Sequence, residues 1–557
     1  MRAMNLDELR GKIDATDAEI LKLIARRQDL AAEIAAAKRA TGKKVFDPAR
    51  EKKLLIEKKQ LAAKLGIPTD EVEKIFRALF ATSRSAQSSY FELAQKLTPK
   101  KIVYREKKIQ TSLSLLEIFA RLRQNFETCF LLESLGEDAD FSRQSFVGFA
   151  PHAVIRAEPG KLIVDGKVFA APNPYLALKN FLPRLPRGRG FRGGLFGYLT
   201  YEATRYFEPS VEFKKDPAWP DFEFGLYFDG LIFDKKTGEL KYFYLSEDRS
   251  KLLEKILAKK LKPEPKFHAK ARGVNITQKD FEAKVALGQK EILAGNTFQF
   301  QFGRKSYFDL SGDRLEFYAT LREVNPSPHM FYLKFGERPV GRSSKSEVRE
   351  LIGSSPELIV RVENGKVENY PLAGTRKITG DKKIDAALGR ELLSDAKERA
   401  EHLMLVDLGR NDVGRVSEFG SVKVPKFMQL KKFSHVQHIG SEIVGKLRKG
   451  LTAFDALATN TPVGTVSGAP KIETMKIIER LEKDPRGPYA GAVGFFSLTG
   501  DCVFAANLRS LFAAGKKATV QASAGIVADS VPRHEFGEVE KKVRGVITAL
   551  EKASQRG

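Results

Sequence analysis

Glu398 and Glu401 stand three residues apart in KERAEHLMLVDLGRND (397–412), and Glu535, Glu538 and Lys542 stand at i, i+3 and i+7 in HEFGEVEKK. On a helix each set shares one face, and in the second the opposite side carries the apolar stripe Val539, Val543 and Ile547. Two such carboxylate pairs would form an oxygen-only ligand set. Without cysteine or paired histidine that suits Mg2+, which keeps waters and takes one or two carboxylates plus the substrate. Salt-bridged surface helices show the same spacing, so spacing alone leaves both readings open. Neighbouring motifs offer less. GTVSGAPK (464–471) looks like a phosphate loop but lacks Gly-Lys-Ser/Thr at the right offset. DLGRND (407–412) echoes a kinase catalytic loop with the Asp-to-Asn spacing one short, and its default is structural. His435, His438 and Glu442 in SHVQHIGSE have nothing nearby to complete a zinc site.

A second polar set lies near the start of the chain. Arg27 and Lys38 are eleven residues apart, close to one helix face, with Arg10 about five turns before Arg27. Asp47, Arg50 and Glu51 crowd the start of a second helix, and Ser83 and Gln87 sit at i and i+4 on a third. Any one of these fits a solvated charged face; the set as a whole lies alongside a buried stripe.

The elements that must carry these residues differ in texture. Apolar residues at helical spacing (Leu6, Leu9, Ile13, Ile20, Leu21, Ile24, Leu30, Ile34) predict one long helix. Gly42 breaks it, Asp47 and Pro48 restart the chain as N-cap and first helical residue, and Thr69 or Asp70 caps a third helix reaching about Tyr90. The first helix is too long to bury its stripe unaided, which predicts a homodimer through these helices. After a charged joint come short β-like runs such as GKLIVDGKVF and PELIVRVENGKVENY, mixed with helices. The fold class is therefore an N-terminal all-α three-helix module followed by α+β with large, mainly antiparallel sheets flanked by helices. The expected boundaries are 1–92 for the helices, 93–108 for the linker and 109–550 for the rest, divided near 260–270. The chain has 557 residues and a formal net charge of +25, but its basic residues are interleaved with acidic ones and no nucleic-acid motif appears. No leader or membrane-spanning run is evident, so the cytoplasm is expected. Cys129 and Cys502 are its two cysteines, which indicates neither a disulfide framework nor a zinc module.

Residues 5–90 resemble the all-helical chorismate mutase family, whose active-site pattern is met at Arg10, Arg27, Lys38, Asp47, Arg50, Glu51, Ser83 and Gln87. The resemblance implies conversion of chorismate to prephenate, a pericyclic rearrangement that needs a compact conformer and a stabilised ether bond rather than a nucleophile. It assigns Arg10, Arg27 and Arg50 to the two substrate carboxylates, with Arg10 reaching the neighbouring subunit's site. Lys38 and Gln87 fall on the ether oxygen and Glu51 on the ring hydroxyl.

Residues 109–550 resemble the chorismate-utilising enzymes, most closely the large subunit of anthranilate synthase. The match rests on LLES (131–134), NPSPHMFY (325–332), GSSPE (353–357), PLAGTR (371–376), NTPVGTVSGAPK (460–471), QASAGIVADSVPRHEFGE (521–538) and the carboxylate segments above. It implies Mg2+ ligation by Glu401 and Glu538 with Glu398 and Glu535 in support. Substrate-binding positions fall on Gly374, Thr375, Tyr489, Arg509, Ala524, Gly525 and Lys542. His438 and Thr465 stand beside the reacting ring, and Glu357 is the general acid for the leaving C4 hydroxyl. Water-adding members carry a lysine base where this chain has Gln299, and aminodeoxychorismate synthases commonly carry lysine where it has Ala373; both point to anthranilate. Two alternatives stand beside this reading: an aminodeoxychorismate synthase, and an idle helical dimerisation or sensor module. LLES and NPSPHMFY resemble a tryptophan feedback pocket, implicating Leu132, Glu133, Ser134, Asn325, Pro326, Ser327 and Met330, with His329 where tyrosine is frequent. Ser523 stands where glycine is usual, and a positive φ there would strain it. Neither cysteine has a nucleophile-elbow context, so a separate glutamine amidotransferase subunit would supply ammonia.

Overall fold

The computed structural model describes residues 6–99, 101–135, 143–186, 188, 191–336, 347–432 and 436–556. They fall into two compact units, one from Met1–Lys100 with Ile155–Pro183 and one from Lys101–Val154 with Arg184–Gly557. Among them no helix is long and apolar enough to cross a membrane.

The first unit contains the three expected helices, α1 (Leu6–Ala40), α2 (Pro48–Lys64) and α3 (Thr69–Leu97). Past the end of α1, Gly42 adopts φ +67°, a left-handed conformation that glycine enters without a Cβ clash. Asp47 caps α2 as the sequence predicts, its side chain accepting the Arg50 N–H with Pro48 at the first position. The start of α3 differs from expectation: Thr69 is already helical, Pro68 occupies the cap, and no side chain supplies a capping bond. Its end differs too, continuing to Leu97. Tyr90, Leu93, Ala94 and Leu97 are buried, and Tyr90 stacks on Phe181 of the Pro174–Phe181 helix at 5.1 Å. That helix also packs on α1, where Ala31, Ala32 and Ala35 are buried and Asp29 accepts the Asn173 N–H at 3.1 Å. An antiparallel hairpin of Lys161–Val164 and Lys167–Ala170 turns at Asp165 and Gly166, both at positive φ, as an Asp-Gly hairpin turn requires. Elsewhere the α1 stripe stays uncovered, with Leu6, Leu9, Ile13, Ile20, Leu21 and Leu23 exposed.

The second unit carries two large antiparallel sheets. One has twelve strands among the described residues and includes the long neighbours Gln299–Ser311 and Lys517–Ile526. The other includes Leu372–Lys377 beside Val436–Lys446, and Ala492–Ser497 beside Gly194–Leu199. Their inner faces meet through aromatic rings: Phe130 stacks on Phe196 at 3.6 Å, and Phe146 meets Phe495 edge-on at 5.8 Å. The C-terminal helix Pro532–Arg556 buries Val539, Val543 and Val546 against the first sheet's outer core, which leaves its acidic first turns toward solvent and the site.

Candidate functional site

In the helical unit the predicted polar residues meet in pairs across helices. Arg27 donates from Nη1 to the Leu79 carbonyl at 2.8 Å and to Ser83 Oγ. Lys38 donates from Nζ to Gln87 Oε1 at 3.1 Å and to the Val45 carbonyl at 2.5 Å. Burial pushes the Arg27 guanidinium below its ordinary pKa, and the charge of Glu51 works against that shift. Ser83 and Gln87 are themselves buried, so Arg27, Lys38 and their partners form a polar patch suited to an anion. Glu51 is held by a residue that the sequence reading missed: Arg84 places Nη1 2.6 and 2.5 Å from its two oxygens, with its guanidinium 5.3 Å from the Phe46 ring. The available signal was the i, i+3 spacing of Arg84 and Gln87. Asp47 uses its carboxylate on the cap, Arg50 is exposed, and Arg10 is exposed and pairs with Asp7 at 3.4 Å. Within one chain, therefore, Arg10 does not join the others.

In the larger unit the predicted catalytic, binding and metal residues come from many separate segments of the chain. Glu357 follows the strand Arg349–Ser355, and the 3-10 turn Gly464–Val466 aims Thr465 Oγ1 at it, 2.7 and 2.8 Å from its two oxygens. Burial pushes the Glu357 carboxyl up to about 7, with the Thr465 bond and the charges of Lys542 and Arg509 working against it. At this pKa the group can hold and release a proton near neutrality. Arg509 sits between strands at φ +49°, a left-handed conformation uncommon outside glycine, and burial lowers its pKa against the charge of Glu357.

His438, on the strand Val436–Lys446, brings Nδ1 2.6 Å from the Gly374 carbonyl and 3.1 Å from Thr375 Oγ1. A carbonyl only accepts, so Nδ1 carries the hydrogen and Nε2 the lone pair. Burial lowers the imidazole pKa to about 4, which keeps the ring neutral at working pH. Gly374 adopts φ +63° at a bulge between Ala373 and Arg376, and a Cβ there would lie 2.9 Å from Glu398 Oε2. Glycine is thus needed for both the turn and the approach of that carboxylate. His435 lies outside the described residues.

The four carboxylates converge from two helices, Ala396–Gly414 and Pro532–Arg556. Glu401 has its pKa raised by burial, and the charges of Glu398, Glu538 and Glu535 add to that shift. Burial also raises Glu535, which accepts from Ser530 Oγ at 2.7 Å. Glu398 accepts from Arg376 at 3.3 Å, and Glu538 pairs with Lys542 at 2.7 Å. Among the described residues no group of three or more His, Cys, Asp or Glu is placed to hold a metal ion by itself. The donor set still fits Mg2+: repelling carboxylates without cysteine or histidine suit a hard cation that takes one or two of them and fills its shell with water and substrate. The DLGRND stretch divides. Asp407 and Arg410 form an exposed ion pair, whereas Asp412 is buried and paired with Lys471 of GAPK at 2.6 Å, tying this helix to the start of the helix Lys471–Leu481.

Tyr489 is buried with its hydroxyl 2.8 Å from Ser523 Oγ, and Lys542 Nζ donates to the Ser523 carbonyl at 2.9 Å. Ala524 and Gly525 lie on the same strand, opposite Phe302 and Gln301. The strain expected at Ser523 is absent: it sits in regular strand pairing opposite Gly303 and is not among the residues at positive φ. Gln299 is buried with its amide against Gly525.

A separate cavity of about 370 Å³ is lined by Leu132, Glu133, Ser134, His329 and Arg361, among others. Glu133 accepts from Tyr318 at 2.8 Å and from Arg322 at 3.2 Å. Burial lowers the His329 pKa to about 4, and the charge of Arg361 adds to the shift. Asn325, Pro326, Ser327 and Met330 are not among its lining residues; Met330 is fully buried and receives the Ser327 hydroxyl at 3.6 Å. Both cysteines are buried, and burial pushes the Cys129 thiol up to about 12.

Residues 127–548 match the family of chorismate binding enzymes, and residues 9–88 match chorismate mutase type II. Over 459 residues the chain is 44% identical to anthranilate synthase component 1 of Leptospira biflexa, covering 81% of this chain and 97% of that one. The solved anthranilate synthase component I of Streptococcus pneumoniae superposes with a TM-score of 0.63 at 34% identity, covering 73% of this chain and 92% of that one. The menaquinone-specific isochorismate synthase of Escherichia coli superposes at 0.62 with 18% identity, covering 83% and 99%, which shows the fold alone.

Proposed function

The chain belongs to the chorismate binding enzyme family, with a chorismate mutase type II module ahead of that domain, and we propose that both halves act on chorismate. The helical unit isomerises it to prephenate, and the larger unit converts it with ammonia to anthranilate and pyruvate. The observation that carries the second reading is Glu357: a buried carboxyl at about 7, hydrogen-bonded by Thr465 and facing the positive charges of Lys542 and Arg509.

In the mutase reaction Arg27 and Arg50 hold the substrate carboxylates and compact the enolpyruvyl arm over the ring. Lys38 and Gln87 stabilise charge on the breaking ether oxygen, and Glu51 accepts from the ring hydroxyl. Arg10 serves the partner subunit's site across a homodimer interface formed by the exposed α1 stripe. A light-scattering mass of one chain would contradict that assembly.

In the synthase reaction Arg509 and Tyr489 hold the enolpyruvyl carboxylate, and Lys542 with the backbone at Gly374, Ala524 and Gly525 orients the remaining anionic group. Glu357 delivers its proton to the C4 hydroxyl as it leaves. Neutral His438, with its lone pair on Nε2, accepts the ring proton in the later elimination of pyruvate. Glu401 and Glu538, supported by Glu398 and Glu535, would hold Mg2+, which supplies charge withdrawal at the ring carboxylate when bound. Glu401→Gln is expected to lower ammonia-dependent anthranilate formation by roughly 100-fold or more, with the Mg2+ requirement shifted upward; normal synthase kinetics in this variant would remove Glu401 from the ligand set.

Ammonia comes from a glutamine amidotransferase partner, since buried, protonated Cys129 and Cys502 are unsuited to attack glutamine. Gln299 in place of a lysine base disfavours hydration, and Ala373 in place of lysine favours anthranilate over aminodeoxychorismate; 4-amino-4-deoxychorismate among the products would favour the other synthase class. The cavity at Leu132, Ser134 and His329 accommodates tryptophan as feedback inhibitor. Titrating tryptophan against anthranilate formation checks this, with no inhibition as the contrary result.

A further inference from the structure

Ser523 lies at the centre of a directed chain of hydrogen bonds beneath the synthase site. The Tyr489 hydroxyl donates to Ser523 Oγ at 2.8 Å, and Ser523 Oγ donates to Gln301 Oε1 at 2.9 Å. All three residues are more than nine-tenths buried, so each link is shielded from competing solvent. Lys542 Nζ grips the Ser523 carbonyl at 2.9 Å, fixing the same residue from the last helix. Because Gln301 accepts through Oε1, its amide NH2 points the other way, and Nε2 lies 2.9 Å from where a Cβ on Gly525 would be. Gln299 Nε2 is closer still to that point. Two amide donors thus converge on the bare Cα of Gly525. A glycine at 523 would leave Tyr489 and Gln301 without their common partner.

We propose that Ser523 is a positioning residue for chorismate in anthranilate formation, its hydroxyl holding Tyr489 in place and turning the Gln301 amide so that it joins Gln299 in donating to an anionic group of the substrate beside Gly525. The inference rests on the reading of Tyr489, Gly525 and Lys542 as substrate-binding. Tyr489 supplies the phenol that closes one end of the chain, and Ser523 acts through Tyr489 and Gln301 rather than on the reacting atoms.

The test uses the full chain with ammonia and MgCl2. Ser523→Ala is expected to lower kcat/KM for anthranilate formation roughly tenfold, mainly through KM, since orienting donors act on bound and activated substrate alike. Ser523→Thr, which restores a hydroxyl, is expected to recover most of the loss. Tyr489→Phe added to Ser523→Ala is expected to cost much less than Tyr489→Phe alone, because the link between them is already gone. An unchanged circular dichroism spectrum and thermal unfolding profile of the full chain in the Ser523 variants shows that they fold. An unchanged KM in Ser523→Ala, or a Ser523→Thr as impaired as Ser523→Ala, overturns the inference while an impaired Tyr489→Phe leaves the site reading standing. A fully active Tyr489→Phe overturns both.

Discussion

Glu357→Gln is expected to lower anthranilate formation by roughly 10²–10⁴-fold while prephenate formation proceeds at its original rate. Glutamine keeps the shape and still accepts from Thr465 Oγ1, so loss of activity isolates the transferable proton. The carboxyl is raised to about 7 by burial, in spite of the Thr465 bond and the positive charges of Lys542 and Arg509. A general acid must begin the reaction protonated. With the pKa raised, the proton is retained up to neutrality and lost above it. Synthase kcat/KM should therefore fall as pH rises through about 7, and Glu357→Gln should lack that alkaline limb. His438 titrates far lower, at about 4, so it contributes no second change near neutrality. Initial rates across pH 5.5–9, by anthranilate fluorescence, check the profile. An unaltered alkaline limb in the glutamine variant would transfer the acid role to another group.

Lys38→Ala is expected to lower prephenate formation by roughly 10²–10³-fold with anthranilate formation unaffected. The ammonium reaches Gln87 Oε1 at 3.1 Å and the Val45 carbonyl at 2.5 Å, so two fixed acceptors hold it where the ether oxygen would gain charge. Gln87 alone would then offer a neutral donor, which is weaker at a developing oxyanion. Absorbance loss of chorismate without ammonia or Mg2+ measures this step. Wild-type mutase kinetics in Lys38→Ala would favour an idle helical module.

The sequence made the three helices legible because their caps and breaks are local: Asp47 and Pro48 at α2, and Gly42 after α1, act within one turn. The end of α3 was not legible, since it depends on Phe181 and its helix, nearly a hundred residues away. The same holds for the grouping of residues 155–183 with the helices, a contact that no local pattern encodes. Arg84 escaped notice because its partner Glu51 is on another helix, and an isolated arginine reads as surface. In the larger unit, residue types marked the candidates, and two of the pairs touch, Thr465 on Glu357 and His438 on Gly374. Spacing left open the i, i+4 pair of Glu538 with Lys542 that the structure forms, but gave no sign that Glu398 engages Arg376, 22 residues away on a strand. Nor could it show that Ser523 sits unstrained in a strand, where its hydroxyl links two partners instead of bending a loop.

On the proposed reading, one chain carries two independent chorismate sites, one of them metal-dependent. Product analysis of the full chain given chorismate, ammonia and MgCl2, with and without EDTA, tests it most directly. Prephenate and anthranilate are expected with Mg2+, and prephenate alone after chelation. Anthranilate formation that persists in EDTA, or prephenate formation that disappears with it, would rule out two independent sites of which one needs the metal.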